Sequence, residues 1–259
     1  MVETLSFSLL SLAMTLPRIA AAFVIVPLLT PDTVPALVRN SLFVSFAVVV
    51  MPLVTMSGAI ENITASMWPF IVMKEIFIGA IFGLMFGSIF WAIGMAGGIV
   101  DTQIGANMAN AIDPIQGHQS SLSGVWLSRF ASMLFMASGG FMIFLDLLLG
   151  SYQLWPIEQS LPVLSLADAG IFINEFEYIM TAALLIAAPA MMLLALIDIA
   201  FGLVNRFAEQ LNLLSLTMPI KNWLGTWILL LNLGMIVEVV MRKLVENKGL
   251  LTVLDKVLS

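Results

Sequence analysis

The stretch IFIGAIFGLMFGSIFWAIGMAGGIV, residues 76–100, contains twenty-five residues and no charged side chain. About 20 consecutive apolar residues are enough for one α-helix to cross the hydrocarbon core of a bilayer. The stretch lacks the period-2 alternation of a barrel strand, and a backbone in lipid must satisfy its own amides. It therefore predicts a membrane-embedded helix.

The composition of the whole chain agrees with this reading. Of its 259 residues, 61% are hydrophobic and 10% are charged, and the mean hydropathy is +1.07, far outside the range of soluble domains. There is no cysteine, so disulfides and thiolate metal sites are excluded. A net charge of −6, with ten scattered Lys and Arg residues, provides no basic stripe for nucleic acid. We expect an integral membrane protein.

Hydrophobic windows predict an all-α, polytopic membrane protein with about six helical segments and short connections. The segments cover approximately residues 5–29, 40–57, 70–100, 122–155, 176–204 and 222–241. Pro17, Pro27, Pro52 and Pro189 lie inside or at the edges of these segments, where each removes a helical hydrogen bond and favours a kink.

The distribution of basic residues does not give a consistent topology. The short tail 242–259 is basic, which favours a cytoplasmic C-terminus, yet Arg206 and Lys221 lie in the preceding connection, on the opposite side in a six-span arrangement. The connection 156–175 is acidic where six spans would make it cytoplasmic. Some segments are therefore expected to fold as hairpins against partner proteins instead of crossing lipid independently.

Glycines mark one face of the third segment. Gly79, Gly83 and Gly87 recur every four residues, which lets another helix backbone approach closely and predicts a helix–helix contact. The alternative is that glycine is simply common in membrane helices. The adjacent Gly97 and Gly98 lie near the end of the segment, where they weaken a helix and favour a bend before the polar stretch that follows.

A polar stripe extends along and beyond the fifth segment. Its members step by four, three, four and three residues and so share one helical face: Asp198, Gly202, Asn205, Glu209 and Asn212. Arg206 borders the stripe and can pair with Glu209. Because a charge in lipid is costly, Asp198 is expected to face protein or water. The alternative is an ordinary amphipathic helix end at the membrane interface. Paired burial within an assembly is expected for the other charges in apolar segments: Arg18, Arg129, Asp146 and Glu238.

The polar stretch itself, DTQIGANMANAIDPIQGHQSS at residues 101–121, includes the only histidine, His118. A metal site there would have to be completed by Asp101, Asp113 and amides without thiolates, which disfavours metal binding. The serines at 120, 121 and 123 are too near His118 in sequence for a typical intramembrane protease, and they suit the N-terminal cap of the next helix. No glycine-rich phosphate loop is present, so the chain is not expected to be an enzyme or to bind a cofactor.

The stretch nevertheless keeps apolar positions among its helix-breaking residues. Gly105, Gly117 and the Asp113–Pro114 pair interrupt helix, whereas Ile104, Met108, Ala109, Ile112 and Ile115 keep the stretch partly apolar. Irregular backbone at membrane depth is tolerated only where protein or a water-filled cavity surrounds it. This composition predicts a segment that packs inside a protein cavity and can be displaced at modest cost.

These residues resemble the export-gate component of bacterial type III secretion systems, the SctT/FliR/SpaR/YscT family, over nearly the whole chain. The resemblance rests on four blocks taken together: PLLTPDTVPALVRN after Arg18, with Pro27 and Arg39; GGIVDTQIGANMANAIDP, with Asp101, Gly105, Asn107, Met108, Ala109, Asp113 and Pro114; SGGF and SYQLWP, with Gly139, Gly140, Ser151, Tyr152 and Pro156; and DIAFGLVNRFAEQLNLLSLTMPIK, with Asp198, Gly202, Asn205, Arg206, Asn212, Pro219 and Lys221.

The resemblance implies a single export-gate domain over residues 1–259, working as one subunit of a helical hetero-oligomeric gate in the bacterial inner membrane. It implies SctR-like and SctS-like partners, contact with an SctU-like switch protein and proximity to an SctV-like export channel, with unfolded secreted proteins in transit. It also implies that residues 101–121 form a plug in the lumen of the closed gate. The compact length and short tail favour a virulence-type over a flagellar system.

Two functions from different classes remain open at this point. The first is a non-enzymatic pore subunit for unfolded polypeptide, in which residues 104–116 fill the lumen of the closed state. The second is a secondary transporter or ion channel that uses Asp146, Asp198 and Glu238, although the sequence shows no convincing internal repeat.

Overall fold

The computed structural model describes residues 2–30, 34–56, 67–106, 121–159, 169–207 and 213–250. Within these ranges the secondary structure is helical, which confirms the all-α prediction. The helices are α1 (Val2–Ile25), α2 (Ala36–Met56), α3 (Trp68–Ile104), α4 (Leu122–Ala137), α5 (Gly140–Leu154), α6 (Ala169–Phe207), α7 (Leu213–Leu231) and α8 (Leu233–Asn247).

Pro27 lies in the turn after α1, but the other three prolines of the predicted segments do not end their helices. Pro17, Pro52 and Pro189 lie inside α1, α2 and α6. The fourth predicted segment, expected as one helix over 122–155, is instead divided between α4 and α5, because Gly139 takes a left-handed φ of 77° that ends α4. The last predicted segment is also two helices, α7 and α8, which meet at a 46° bend beside Asn232.

Among the residues that the structure describes, two helices are long and apolar enough to cross a membrane: α3, with 37 residues, and Gly170–Phe207 of α6, with 38 residues, whose most apolar windows have mean hydropathies of 2.2 and 2.4. The number rises to four if each bent pair, α4 with α5 and α7 with α8, is one span. Only 22% of the most apolar window of α6 is buried, against 72% for α3. An apolar helix that is exposed to this degree requires lipid or another protein around it.

The chain divides into two compact units, of which the first comprises Met1–Ser88, Gly139–Glu175 and Lys243–Ser259. Its described core is built around Phe23 of α1. The Phe23 ring lies 5.5 Å from the rings of Phe43 and Phe46 on α2, and 5.2 Å from the ring of Phe144 on α5. Such aromatic pairs add about 0.5–1.5 kcal/mol each beyond the area they bury. They hold α1, α2 and α5 together.

The second unit comprises Ile89–Ser138 and Phe176–Arg242. Here the C-terminal half of α3 packs against α4, and the rings of Phe90 and Phe135 meet edge to face at 5.3 Å. Ala92 on α3 is buried with Ile179 and Ala182 of α6. This packing fixes the end of α3 and the start of α4, between which the polar stretch lies.

Candidate functional site: the base of the polar stretch

The C-terminal end of α3 is closed by a Schellman motif. Gly105 has a left-handed φ of 87°, the conformation that glycine adopts without steric cost. The amide of Ala106 donates to the Asp101 carbonyl at 3.0 Å, and the amide of Gly105 donates to the Thr102 carbonyl at 3.1 Å. These are the two bonds that define the motif, and they satisfy carbonyls that the helix itself leaves without partners. The chain therefore leaves α3 in a fixed direction.

The N-terminal end of α4 is capped by Ser121, one of the serines expected at this cap. Its hydroxyl accepts a hydrogen bond from the Gly124 amide at 2.8 Å, which satisfies one free amide of the first helical turn. A serine cap of this kind contributes about 1 kcal/mol to helix stability. Both ends of the stretch thus have defined helix boundaries.

Asp101 joins the two ends. Its Oδ2 atom accepts from the Ser121 hydroxyl at 2.6 Å and from the Ser123 amide at 2.9 Å, and the residue is only 5% exposed. A carboxylate near the positive end of α4 is favourable by about 0.3–1 kcal/mol at a surface, and by up to about 2 kcal/mol when partly buried. We call residues 101–106 and 121–124 the loop base.

Glycines allow α3 and α4 to approach each other behind the loop base. A Cβ atom at Gly97 would lie 2.5 Å from the Gly124 amide nitrogen, and one at Gly124 would lie 2.7 Å from the Gly94 carbonyl oxygen. Both positions require glycine because backbone cannot move aside as a flexible side chain can. A bend was expected at Gly97 and Gly98. The helix does not end there, because α3 continues to Ile104. Gly97 instead provides room for α4.

Helix α7 lies against the loop base. The Ile104 side chain fills the space beside Gly225, where a Cβ atom would lie 2.6 Å from the Ile104 Cδ1 atom. The Lys221 ammonium forms an ion pair with the Asp198 carboxylate of α6 and lies 3.4 Å from the Gln103 carbonyl oxygen. Asp198, expected to face protein or water, is 42% exposed on its side chain and faces both.

Several predicted site residues lie outside the described residues. They are Asn107, Met108, Ala109, Asp113, Pro114 and His118 of the polar stretch, and Glu209 and Asn212 of the stripe. Within the described part of the stripe, Gly202, Asn205 and Arg206 are exposed near the end of α6. A Cβ atom at Gly202 would meet no other atom within 4 Å.

The acids of the transporter hypothesis give it little support. Asp146 and Glu238 are exposed, and Asp198 is paired with Lys221. Across the ranges that the structure covers, no group of three or more metal-ligating His, Asp or Glu side chains occurs.

The glycine face of α3 lies partly against α1. A Cβ atom at Gly79 would overlap the Arg18 carbonyl oxygen, and one at Gly83 would lie 2.9 Å from the Ala22 carbonyl oxygen. Gly87 is buried. At Gly79 and Gly83 the α1 backbone therefore occupies the volume that a side chain would need.

Sequence reasoning missed a buried polar network in the first unit. Arg18 is fully buried and makes a two-pronged ion pair with Glu75, with nitrogen–oxygen distances of 2.7 and 2.9 Å. Two further donors bond the Ser151 hydroxyl and the Trp155 carbonyl, both at 2.9 Å, and its guanidinium lies 4.0 Å from the centre of the Tyr152 ring. The expected pairing of Arg18 within an assembly is satisfied inside this chain. The signal available in the sequence was the presence of the charged residues Arg18 and Glu75 in apolar segments, where each needs a partner.

Lys74, the neighbour of Glu75, extends this network. Its ammonium donates to the carbonyls of Pro156, Ile157 and Gln159 at 2.8–3.1 Å and lies 3.2 Å from Glu75. All three ammonium donors are used in this way. Lys74 and Glu75 therefore tie the turn after α5 to α3.

We expect Asp101→Ala to loosen the loop base. The change removes the acceptor of the Ser121 hydroxyl and the Ser123 amide, and a lost hydrogen bond to a charged group costs about 1.5–3 kcal/mol. Hydrogen exchange followed by mass spectrometry should show faster exchange of the amides of residues 121–125. Asp146→Ala, which removes an exposed carboxylate elsewhere, is the control and should leave that exchange unchanged. Equal exchange in both variants would contradict the role given to Asp101.

The helices, their exposed apolar surface and the loop base define a class: an α-helical membrane protein whose polar mid-chain stretch is held at both ends by its own helices. The sequence profile described as bacterial export proteins, family 1, matches residues 9–246. The chain belongs to this family, as the resemblance in sequence predicted.

Curated relatives agree with the family assignment. The chain is 34% identical over 224 residues to the Yop proteins translocation protein T of Yersinia pestis, covering 86% of this chain and 85% of the relative. It is 30% identical over 222 residues to the surface presentation of antigens protein SpaR of Salmonella typhimurium, covering 85% and 82%. It is 29% identical over 205 residues to the flagellar biosynthetic protein FliR of Bacillus subtilis, covering 79% and 78%.

Proposed function

We propose that this chain is a non-enzymatic subunit of the inner-membrane export gate of a type III protein secretion system. In this role it helps to form and close the channel through which unfolded substrate proteins are secreted. Family membership supports a component of an export apparatus, and the apolar helices support a location in a membrane. The higher identity to the Yop translocation protein, 34%, than to flagellar FliR, 29%, favours a virulence-type system.

The structure of the loop base is the observation that supports a closing function. Asp101 bonds Ser121 and Ser123 across the interval that contains the polar stretch, so the stretch begins and ends at one place. A connection that only needs to link two helices does not require a buried carboxylate to tie its ends. We infer that residues 104–116 fill the lumen of the closed gate, and that this packing is displaced when substrate passes.

The partners follow from the same proposal. We propose that SctR-like and SctS-like subunits complete the gate, that an SctU-like switch protein contacts it, and that an SctV-like channel delivers substrate. The exposed apolar face of α6 supports protein or lipid contacts along much of its length, since it includes Leu184, Met192, Leu196, Leu203 and Phe207. A tagged copy should therefore recover these partners from detergent-solubilised membranes. A chain recovered only as a stable homo-oligomer would instead favour the transporter hypothesis.

The closing function is tested by deleting residues 106–116 and measuring leakage of small ions across the inner membrane of cells that carry the assembled system. We expect leakage to rise because the lumen loses its filling segment. A second variant replaces the same eleven residues by a Gly/Ser sequence of equal length, which keeps the connection but removes its apolar side chains. We expect this variant to leak as well. Unchanged leakage in the deletion, with the complex assembled normally, would count against the plug.

A further inference from the structure

Lys221, the last residue of the block DIAFGLVNRFAEQLNLLSLTMPIK, makes contacts that its position in the sequence did not predict. The last four carbonyls of a helix have no partner within it. At the end of α3 the Schellman motif satisfies those of Asp101 and Thr102, and the Gln103 carbonyl belongs to the same final turn. The Lys221 ammonium, from α7, lies 3.4 Å from this Gln103 oxygen.

The surroundings of Lys221 favour this contact. A cation is stabilised at the C-terminal end of a helix, where the helix dipole is negative. The Lys221 side chain is only 12% exposed, so solvent screens the interaction weakly, and the Asp198 carboxylate of α6 pairs with the same ammonium. An ammonium has three donors and can therefore bond a carbonyl and a carboxylate together. Three helices of the second unit thus meet at one side chain.

We propose that Lys221 is a positioning residue for the loop base: it donates to the Gln103 carbonyl and holds the final turn of α3 in place, while Asp198 orients the ammonium. Gly105 and Ala106, which follow that turn, then leave α3 in one direction only. The inference rests on the proposed function in one respect. Its ion-leakage test assumes that residues 104–116 fill the lumen of the closed gate. The positioning role itself rests only on the contacts of Lys221.

The first test is hydrogen exchange at the Gly105 and Ala106 amides in the purified complex. Lys221→Met keeps the apolar stem but removes the donors, and we expect about tenfold faster exchange at these two amides, because local opening no longer breaks a charge-assisted bond. Lys221→Arg retains a cation with donors and should recover most of the protection. Asp198→Asn leaves the lysine in place and should have a smaller effect than Lys221→Met.

The controls separate positioning from general destabilisation. Lys248→Met removes an exposed lysine of the chain and should leave exchange at Gly105 and Ala106 unchanged. Exchange in the core of α3, at residues 89–93, should be the same in every variant. The positioning role would be wrong if Lys221→Met behaves like Lys248→Met, or if Lys221→Arg exchanges as fast as Lys221→Met.

The second test compares ion leakage in the same variants with that of the 106–116 deletion. We expect Lys221→Met to leak less than the deletion, and to add nothing when the two are combined, because both act on the same segment. If the deletion leaks while Lys221→Met neither leaks nor raises exchange at Gly105 and Ala106, the inference fails and the proposed function stands. If exchange at Gly105 and Ala106 rises but neither variant leaks, the positioning role stands and the plug function fails.

Discussion

Arg18→Met should sharply reduce the amount of folded chain. The Arg18–Glu75 pair is fully buried on both sides, and removing one partner of such a pair costs about 3–5 kcal/mol because the other charge stays buried. The Trp155 carbonyl would also lose its donor from Arg18. Total stabilities are only about 5–15 kcal/mol. We expect little assembled complex after detergent extraction, and a lower thermal midpoint for what remains.

Two further variants distinguish a lost ion pair from a lost positive charge. Lys248→Met removes an exposed lysine just after α8 and should leave complex yield unchanged. Arg18→Met combined with Glu75→Gln removes the stranded carboxylate and leaves a neutral amide in its place. This double variant should recover part of the yield. If Lys248→Met and Arg18→Met lower the yield equally, the buried network around Arg18 does not have this structural role.

The helical class was predictable because the backbone of a long apolar segment in lipid must satisfy its own hydrogen bonds, as it does in an α-helix. The end of α3 illustrates how far local reasoning extends: Gly105 and the serines near 121 are residue types that end and begin helices, and both signals are read from neighbouring positions. The division at Gly139 was missed, since the hydrophobic pattern continues on both sides of it and nothing in hydropathy distinguishes a left-handed glycine from a helical one.

The polar contacts were harder to predict for a different physical reason. Arg18 and Glu75 are 57 residues apart, and Asp101 and Ser121 are 20 apart, so their pairing depends on how the helices pack and not on any local spacing. A charge in an apolar segment indicates that a partner exists, but it does not identify the partner. Lys221 shows the same limit: the sequence placed it in the same block as Asp198, whereas the structure shows that it pairs with Asp198 and also reaches the end of α3.

Gly97→Ala should also lower the stability of the protein substantially. Helix propensity alone predicts the opposite, a gain in stability. Alanine is normally about 1 kcal/mol better than glycine inside a helix. At position 97, however, the added Cβ atom would lie 2.5 Å from the Gly124 nitrogen and 2.6 Å from its Cα atom, both backbone atoms. Overpacking of this kind costs about 1–3 kcal/mol and pushes α3 and α4 apart. We expect a lower thermal midpoint of the purified complex.

The adjacent Gly98 is a matched control for this prediction. A Cβ atom there would meet the Ser121 side chain at 3.9 Å, an ordinary van der Waals contact, so Gly98→Ala should be neutral or stabilising. Gly97 lies one helical turn before Asp101, and separating α3 from α4 should also lengthen the bond from the Ser123 amide to Asp101. Gly97→Ala should therefore speed amide exchange at residues 121–125, as Asp101→Ala does, whereas Gly98→Ala should not. Equal midpoints and equal exchange in the two alanine variants would show that the close approach of α3 and α4 does not set the geometry of the loop base.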